Sequence, residues 1–273
     1  MHPMLNIAIR AARQAGDIII RSADSIDTLK ITIKSQNDYA TEIAKHAEEE
    51  IINTLLSAYP DHGVLTEESG YTNQDAEYMW IIDPLNGTSN FMHGFPHYAV
   101  SIALKHSNVI EQAVIYDPVR QDLFTASRGK GATLNNRRIR VARQRKLEGA
   151  FIGTGFPSKN DHNIEPYLDI FRDIFTRTSG VRRAGAASLD LAYVAAGKLD
   201  GFFEIGLKPW DFAAGMLLIQ EAGGVISDFE GEYDYFKTGN IVCANPKMHR
   251  VLLDTIAPHA QKVLSAGQTK TSE

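Results

Sequence analysis

The chain has 273 residues, 44% hydrophobic and 22% charged, a globular balance that excludes a disordered, collagen-like or coiled-coil protein. A formal charge of −5 supplies no global positive field for nucleic acid or an anionic membrane surface. The lone Cys243 excludes an internal disulfide or a thiolate metal cluster, and no apolar run has the length of a membrane span.

In chain order, Leu5, Ala8, Ala12, Ala15, Ile18 and Ile19 recur at helical spacing and predict an amphipathic helix over 4–21. The start Met1-His2-Pro3-Met4 lacks the basic residues and apolar stretch of a signal peptide, so a cytoplasmic location is expected. Ile43, Ala47, Ile51 and Leu55 predict a second helix over 41–58, stopped by Pro60. Val64-Leu65-Thr66 and Trp80-Ile81-Ile82 are short apolar runs ending in acids, Glu67-Glu68 and Asp83. Residues 98–141 alternate as a strand meander with turns at Asn108 and Gly129–Gly131. The basic run 135–146 reads as a solvated edge strand blunted by charge. Helices are expected at 164–176, 186–197, 211–222 and 246–257, and strands at 201–205, 224–228 and 241–244. Strands feeding helices indicate a layered α/β or α+β protein. A change of pattern suggests halves of 1–145 and 146–260, followed by a polar, frayed tail over 261–273.

Acids placed straight after apolar strands are carried to a sheet rim, where ligands bind in α/β proteins. Glu67, Asp83 and Asp211 stand in such places, or at a helix start, although each alone is more often a helix cap or a surface charge, and the case depends on their combination. After Asp83, Pro84 and Asn86-Gly87 allow a tight turn that aims the Leu85 carbonyl, the amides of Gly87 and Thr88 and the Thr88 hydroxyl at one point. Carboxylate and carbonyl suit a hard cation, and converging amides suit a phosphate oxygen. An ordinary Asn-Gly hairpin is the plain alternative.

The segment Trp80-Ile81-Ile82-Asp83-Pro84-Leu85-Asn86-Gly87-Thr88-Ser89-Asn90-Phe91 resembles the W-V/I-I-D-P-L/I-D-G-T-T-N-F motif of the inositol monophosphatase family. Glu67-Glu68-Ser69 is similar to its E-E-S element, and Trp210-Asp211-Phe212-Ala213-Ala214-Gly215 to its W-D-x-A-A-G element. Ala187–Gly197 and Gly201–Glu204 are most similar to the bacterial SuhB branch. The resemblance implies an α-β-α-β-α sandwich, a homodimer, and lithium-sensitive, Mg²⁺-dependent hydrolysis of phosphate monoesters such as inositol phosphates. It implies Glu67, Asp83 and the Leu85 carbonyl as ligands of a first metal, with Asp211 and position 86 at a second. Glu67 and Thr88 would position the attacking water, and Gly87 and Thr88 would receive phosphate. Arg182, Gly185, Ala187, Glu204 and Asp211 would contact substrate, and Lys34 aligns with a lysine near the metals.

Two carboxylates of the family pattern are replaced. Asn86 stands where an Asp would bridge to the second metal, and Ala44 ends Asp38-Tyr39-Ala40-Thr41-Glu42-Ile43-Ala44 where an Asp would bond the threonine at position 88. An amide oxygen brings no charge, so a weakened second site is expected. The SuhB branch also implies a regulatory role in transcription antitermination with NusA and RNA polymerase. A bisphosphate or nucleotide phosphatase is a third alternative.

Overall fold

The computed structural model describes residues 2–26, 33–157 and 164–268, without the side chains of 24–26, 33–39 and 261–268. In order, the elements are α1 Pro3–Ile26, α2 Ile33–Ala58, β1 Gly63–Thr66, β2 Gly70–Thr72, β3 Tyr78–Asn86, α3 Thr88–Met92, β4 Ala99–His106, β5 Val109–Asp117, β6 Asp122–Ser127, β7 Gly131–Leu134 and β8 Arg137–Arg138. There follow β9 Phe151–Thr154, α4 Ile164–Phe175, β10 Gly180–Arg182, α5 Ala187–Ala195, β11 Gly201–Glu204, α6 Pro209–Glu221, β12 Val225–Ser227, α7 Tyr235–Thr238, β13 Ile241–Ala244 and α8 Pro246–Gln268.

An eight-stranded sheet runs β2-β1-β3-β4-β5-β6-β7-β8, and a five-stranded one β10-β9-β11-β13-β12. The apolar stripes of α1 and α2, with Ala12, Ala47 and Ile51 fully buried, cover one face of the large sheet over Trp80, Ile82 and Val100. Its other face, through Ile81, Ala103 and Ile115, packs on α5 and α6. Those two helices have little polar surface because they lie between sheets; Leu191, Phe212, Leu217 and Leu218 are all buried. Beyond the second sheet, α4 and α8 close the stack through Tyr167, Ile170, Met248 and Leu252. The layers are therefore α-β-α-β-α, as expected.

The large sheet ends at Arg138 and the second begins at Phe151, either side of residue 145. The middle helices nevertheless pack on both sheets, so the halves share a core. The basic run supplies the two-residue edge strand β8, reached through Asn135 and Asn136, both with positive φ as a type I′ hairpin requires. The helix at 33–58 starts well before residue 41, where the sequence has no apolar period to announce it. Helix α8 continues past 257 and past the start of the expected frayed tail, to Gln268. Cys243 is fully buried, and burial pushes its thiol pKa up, in keeping with an inert core residue. Among the described residues no helix is long and apolar enough to cross a membrane.

Candidate functional site

Two pairs of parallel strands build the site by the same rule. Strands β1 and β3 pair with Thr66 opposite Ile82, so the next residues, Glu67 and Asp83, emerge side by side at the carboxyl ends. Strands β9 and β11 pair with Thr154 opposite Phe203, so Gly155 and Glu204 follow as neighbours. A Cβ on Gly155 would fall 1.8 Å from a Glu204 carboxylate oxygen; only glycine leaves that side chain its place. A cleft of about 310 Å³ lies between the two rims.

The turn after Asp83 is not a hairpin. Strand β3 bulges between Asp83 and Asn86 against β4, so that Asp83 faces Ser101 and Asn86 faces Ala99 across the shift. Gly87, at φ 92°, then turns the chain into α3. The Thr88 hydroxyl donates to the Leu85 carbonyl at 2.9 Å. Asn90 donates to the carbonyls of His97 (2.7 Å) and Ala184 (2.9 Å), pinning this turn to the loop before α5.

Glu67, Asp83, Leu85, Asn86, Gly87, Thr88, Gly185, Ala187, Glu204 and Asp211 all line the cleft, as read from the sequence. Arg182 does not. It ends edge strand β10 with its guanidinium over the Phe151 ring at 4.3 Å, and the next residue, on the opposite side of the strand, is the one that reaches the cleft. Arg183, and not Arg182, is thus the arginine at the cleft. The side chain of Lys34 lies outside the described residues. Thr154, Gly155, Arg183 and Asp190 were not singled out from the sequence. Nor was Glu48, a buried acid that accepts from the Glu68 amide at 3.2 Å and from the Ser69 hydroxyl, and so shapes the turn that carries Glu67. The one sequence signal for Glu48 is an acid beside the apolar stripe Ala44, Ala47, Ile51.

Electrostatically the β1–β3 rim is a cluster of buried acids. Burial, then the charges of Asp211 and Glu68, push the Glu67 pKa up to about 7. Burial, then Glu67 and Asp211, hold Asp83 well above the usual carboxylate range. Burial raises Asp211 to about 6, opposed by the Lys208 amide that donates to its carboxylate at 2.7 Å. Asp211 thus caps α6 with one oxygen and faces the cleft with the other. The opposite wall holds Asp190 and Glu204, both raised well above normal by burial first, with Arg183 pulling each down.

The first-cation donor set fits one hard divalent ion: two acids without a counter-charge beside the Leu85 carbonyl at the bulge. Among the described residues no three His, Cys, Asp or Glu side chains form a metal-binding group by themselves. Asn86 does not fit the ligand role expected of it. Its amide nitrogen donates to Asp83 (2.8 Å) and Asp211 (3.2 Å), while its oxygen accepts from the Ser188 amide (3.0 Å) and hydroxyl (2.8 Å). Ala44 is buried in the apolar cluster that contains Leu85 and Phe91.

Residues 1–265 match the inositol monophosphatase family. The chain is 53% identical over 264 residues to the Nus factor SuhB of Pseudomonas aeruginosa, covering 95% of this chain and 97% of that one. It is 50% identical over 254 residues to the Nus factor SuhB of Escherichia coli K12, covering 93% and 95%. Among solved structures, the extragenic suppressor protein SuhB of Bartonella henselae superposes with a TM-score of 0.87 at 42% identity, covering 93% of this chain and 98% of that one. An inositol monophosphatase from Anabaena gives 0.81 at 36% identity, covering 93% and 95%. Match, fold and the ordered acidic rim agree: the chain belongs to the inositol monophosphatase family, whose members are generally metal-dependent phosphatase-like hydrolases.

Proposed function

We propose that this chain is a slow Mg²⁺-dependent phosphomonoesterase, with inositol 1-phosphate as its reference substrate. The observation that carries the reading is the parallel β1–β3 pairing, which sets Glu67 beside Asp83 at the mouth of the Leu85–Thr88 turn. Glu67, Asp83 and the Leu85 carbonyl would hold the first cation, and magnesium bound there would supply Lewis-acid polarisation of phosphate oxygens. The Gly87 and Thr88 amides, which open α3, receive phosphate oxygens. The Thr88 hydroxyl spends its proton on Leu85 and so offers lone pairs to a water that Glu67 would help to position. Arg183 draws the anionic ester in; Asp190 and Glu204 accept from its hydroxyls, with Gly185 and Ala187 as floor.

Activity is low because position 86 brings no charge and position 44 brings no partner for Thr88. The test is inositol 1-phosphate hydrolysis against magnesium for wild type, Asn86→Asp, Ala44→Asp and the double variant, with circular dichroism to confirm folding. Asn86→Asp should lower the magnesium required and Ala44→Asp should raise kcat. The double variant should gain about 10- to 100-fold, more than the singles combined. No hydrolysis of any monoester by any of the four would sink the reading.

A second reading has its own observation, the roughly half identity to proteins named Nus factors over almost the whole chain. In it the protein acts as a cytoplasmic homodimer in transcription antitermination, contacting NusA and RNA polymerase independently of the cleft. Binding of purified NusA that is unchanged in Asp83→Ala would favour it; absence of binding would remove it.

A further inference from the structure

The bonds of Asn86 use everything its side chain has. An amide carries two N–H donors and an oxygen with two lone pairs. Both donors go to carboxylates, on Asp83 and Asp211, and both lone pairs go to Ser188. The orientation is fixed from both sides. The Ser188 backbone N–H can only donate, so the atom 3.0 Å away is the oxygen; turning the amide over would set that oxygen against two carboxylates. Asn86 is 6% exposed and Asp83 1%, so solvent does not stand in for the bond between them; Asp211 is half-buried at the cleft.

The bonds also join three elements. Asn86 ends β3, Ser188 lies in the first turn of α5, and Asp211 lies in the first turn of α6. The Asn86 oxygen satisfies one of the amides that open α5, and its nitrogen holds the acid that caps α6. The side chain is thus a knot between the large sheet and the middle helix layer, at the point where two acids would otherwise repel.

We infer that the Asn86 amide is a built-in substitute for a second cation: it bridges Asp83 and Asp211 as an ion would and leaves no lone pair to bind one. The cleft of this chain is therefore closed on that side, and structurally complete, with a single divalent ion or none. The inference rests on the cation-binding reading of the same cleft but not on catalysis. An aspartate at position 86 could still accept from Ser188, yet its other oxygen would face Asp83 and Asp211, giving three carboxylates that need an ion between them.

The experiment compares wild type, Asn86→Asp and Asn86→Ala by thermal melting in EDTA and in magnesium, with Mn²⁺ calorimetry for stoichiometry. In EDTA both variants should melt lower than wild type, by about 5 °C or more. Magnesium should raise Asn86→Asp well beyond the rise seen in wild type, and should raise Asn86→Ala no more than wild type. Wild type should bind one Mn²⁺, and Asn86→Asp two. An Asn86→Asp protein that folds only with magnesium also supports the inference. An Asn86→Asp protein as stable as wild type in EDTA would overturn it, as would two comparable Mn²⁺ sites in wild type, a measurement that needs no variant to fold. Hydrolysis is read separately: a brisk one-cation enzyme leaves the inference standing, and a second tight cation in wild type removes it while the hydrolysis reading survives.

Discussion

Two acidic groups face one cleft and are neutralised in different ways. On the β1–β3 rim, Asp83 and Asp211 are tied by Asn86 and by the amides of Leu85 (3.0 Å) and Lys208 (2.7 Å). On the β9–β11 wall, Asp190 and Glu204 are equally withdrawn from water, yet neither carboxylate is hydrogen-bonded to another described residue; the exposed Arg183 moderates both from a distance. The first arrangement fixes its acids in place through one bond on each Asp83 oxygen, with a lone pair left on each toward Glu67 and a single cation. The second leaves its acceptors open, which is what a wall that receives a ligand requires.

The sharpest way to break this contrast is to delete one acid from each side. Asp83→Ala strands the Leu85 amide and one Asn86 N–H in a buried place, and should cost about 2–4 kcal/mol despite relieving charge repulsion. Asp190→Ala removes a buried acid that no hydrogen bond compensates, and should leave stability unchanged or raised. Thermal melts in EDTA compare them. Equal losses would mean that the β9–β11 wall is structural too.

The α6 entrance gives a smaller effect on the same axis. Trp210 is half-buried, so Trp210→Ala should cost about 2 kcal/mol rather than the full penalty of a buried Trp. Asp211→Ala loses a cap and one Asn86 contact and should cost about 1 kcal/mol, while Asp211→Asn should recover part of that. If Asp211→Ala melts earlier than Trp210→Ala, the capping role outweighs packing here.

Much of this was legible in the sequence, and the misses have physical reasons. Acids after apolar runs gave Glu67 and Asp83, because parallel strands in register end together. The five-layer stack followed from motif resemblance and from strand–helix alternation. Arg182 and Arg183 are adjacent, and only the phase of a three-residue edge strand decides which reaches the cleft; periodicity has no purchase on so short an element. Asn86 was read as a ligand because a motif position names a role, whereas its bonds depend on Ser188 and Asp211, more than a hundred residues away. Glu48 was invisible for the same reason, since its partners lie on the next strand's turn.

The acid rim should also titrate. The folded-state pKa values of Glu67 (about 7) and Asp211 (about 6) lie above the ordinary carboxylate values of 4.5 and 3.8. The fold therefore binds these protons more tightly than the unfolded chain does. The stabilisation is full below the unfolded values and is lost as pH rises through about 6 and 7. In EDTA the melting temperature should fall by about 5 °C between roughly pH 5 and 8. Glu67→Gln should flatten the upper part of that fall, and magnesium, which needs the carboxylates ionised, should oppose it most at high pH. A melting temperature rising across this range in EDTA would contradict the raised pKa values.

The smallest expected effect separates the two arginines at the open wall. Arg183 lines the cleft, its guanidinium 5.0 Å over the Phe156 ring, while Arg182 lies over Phe151 on the other side of the strand. A guanidinium beside two acids is held there without a direct hydrogen bond among the described residues, so it is free to turn toward an anion. Inorganic phosphate is the simplest probe. Its affinity, measured by calorimetry at low salt with magnesium present, should fall about fivefold in Arg183→Ala, the scale of one exposed charge contact. In Arg182→Ala it should be unchanged within twofold, because the lost interaction is a stacking contact outside the cleft. Added salt should weaken phosphate binding in wild type and in Arg182→Ala more than in Arg183→Ala, since screening acts on the charge that variant lacks. Both substitutions are at exposed positions and should leave the melting temperature almost unmoved. Equal losses of phosphate affinity in the two variants would return Arg182 to the site. No loss in either would mean that the phosphate is held by the Gly87–Thr88 turn and the cation alone, and that the open wall serves the alcohol half of the ester.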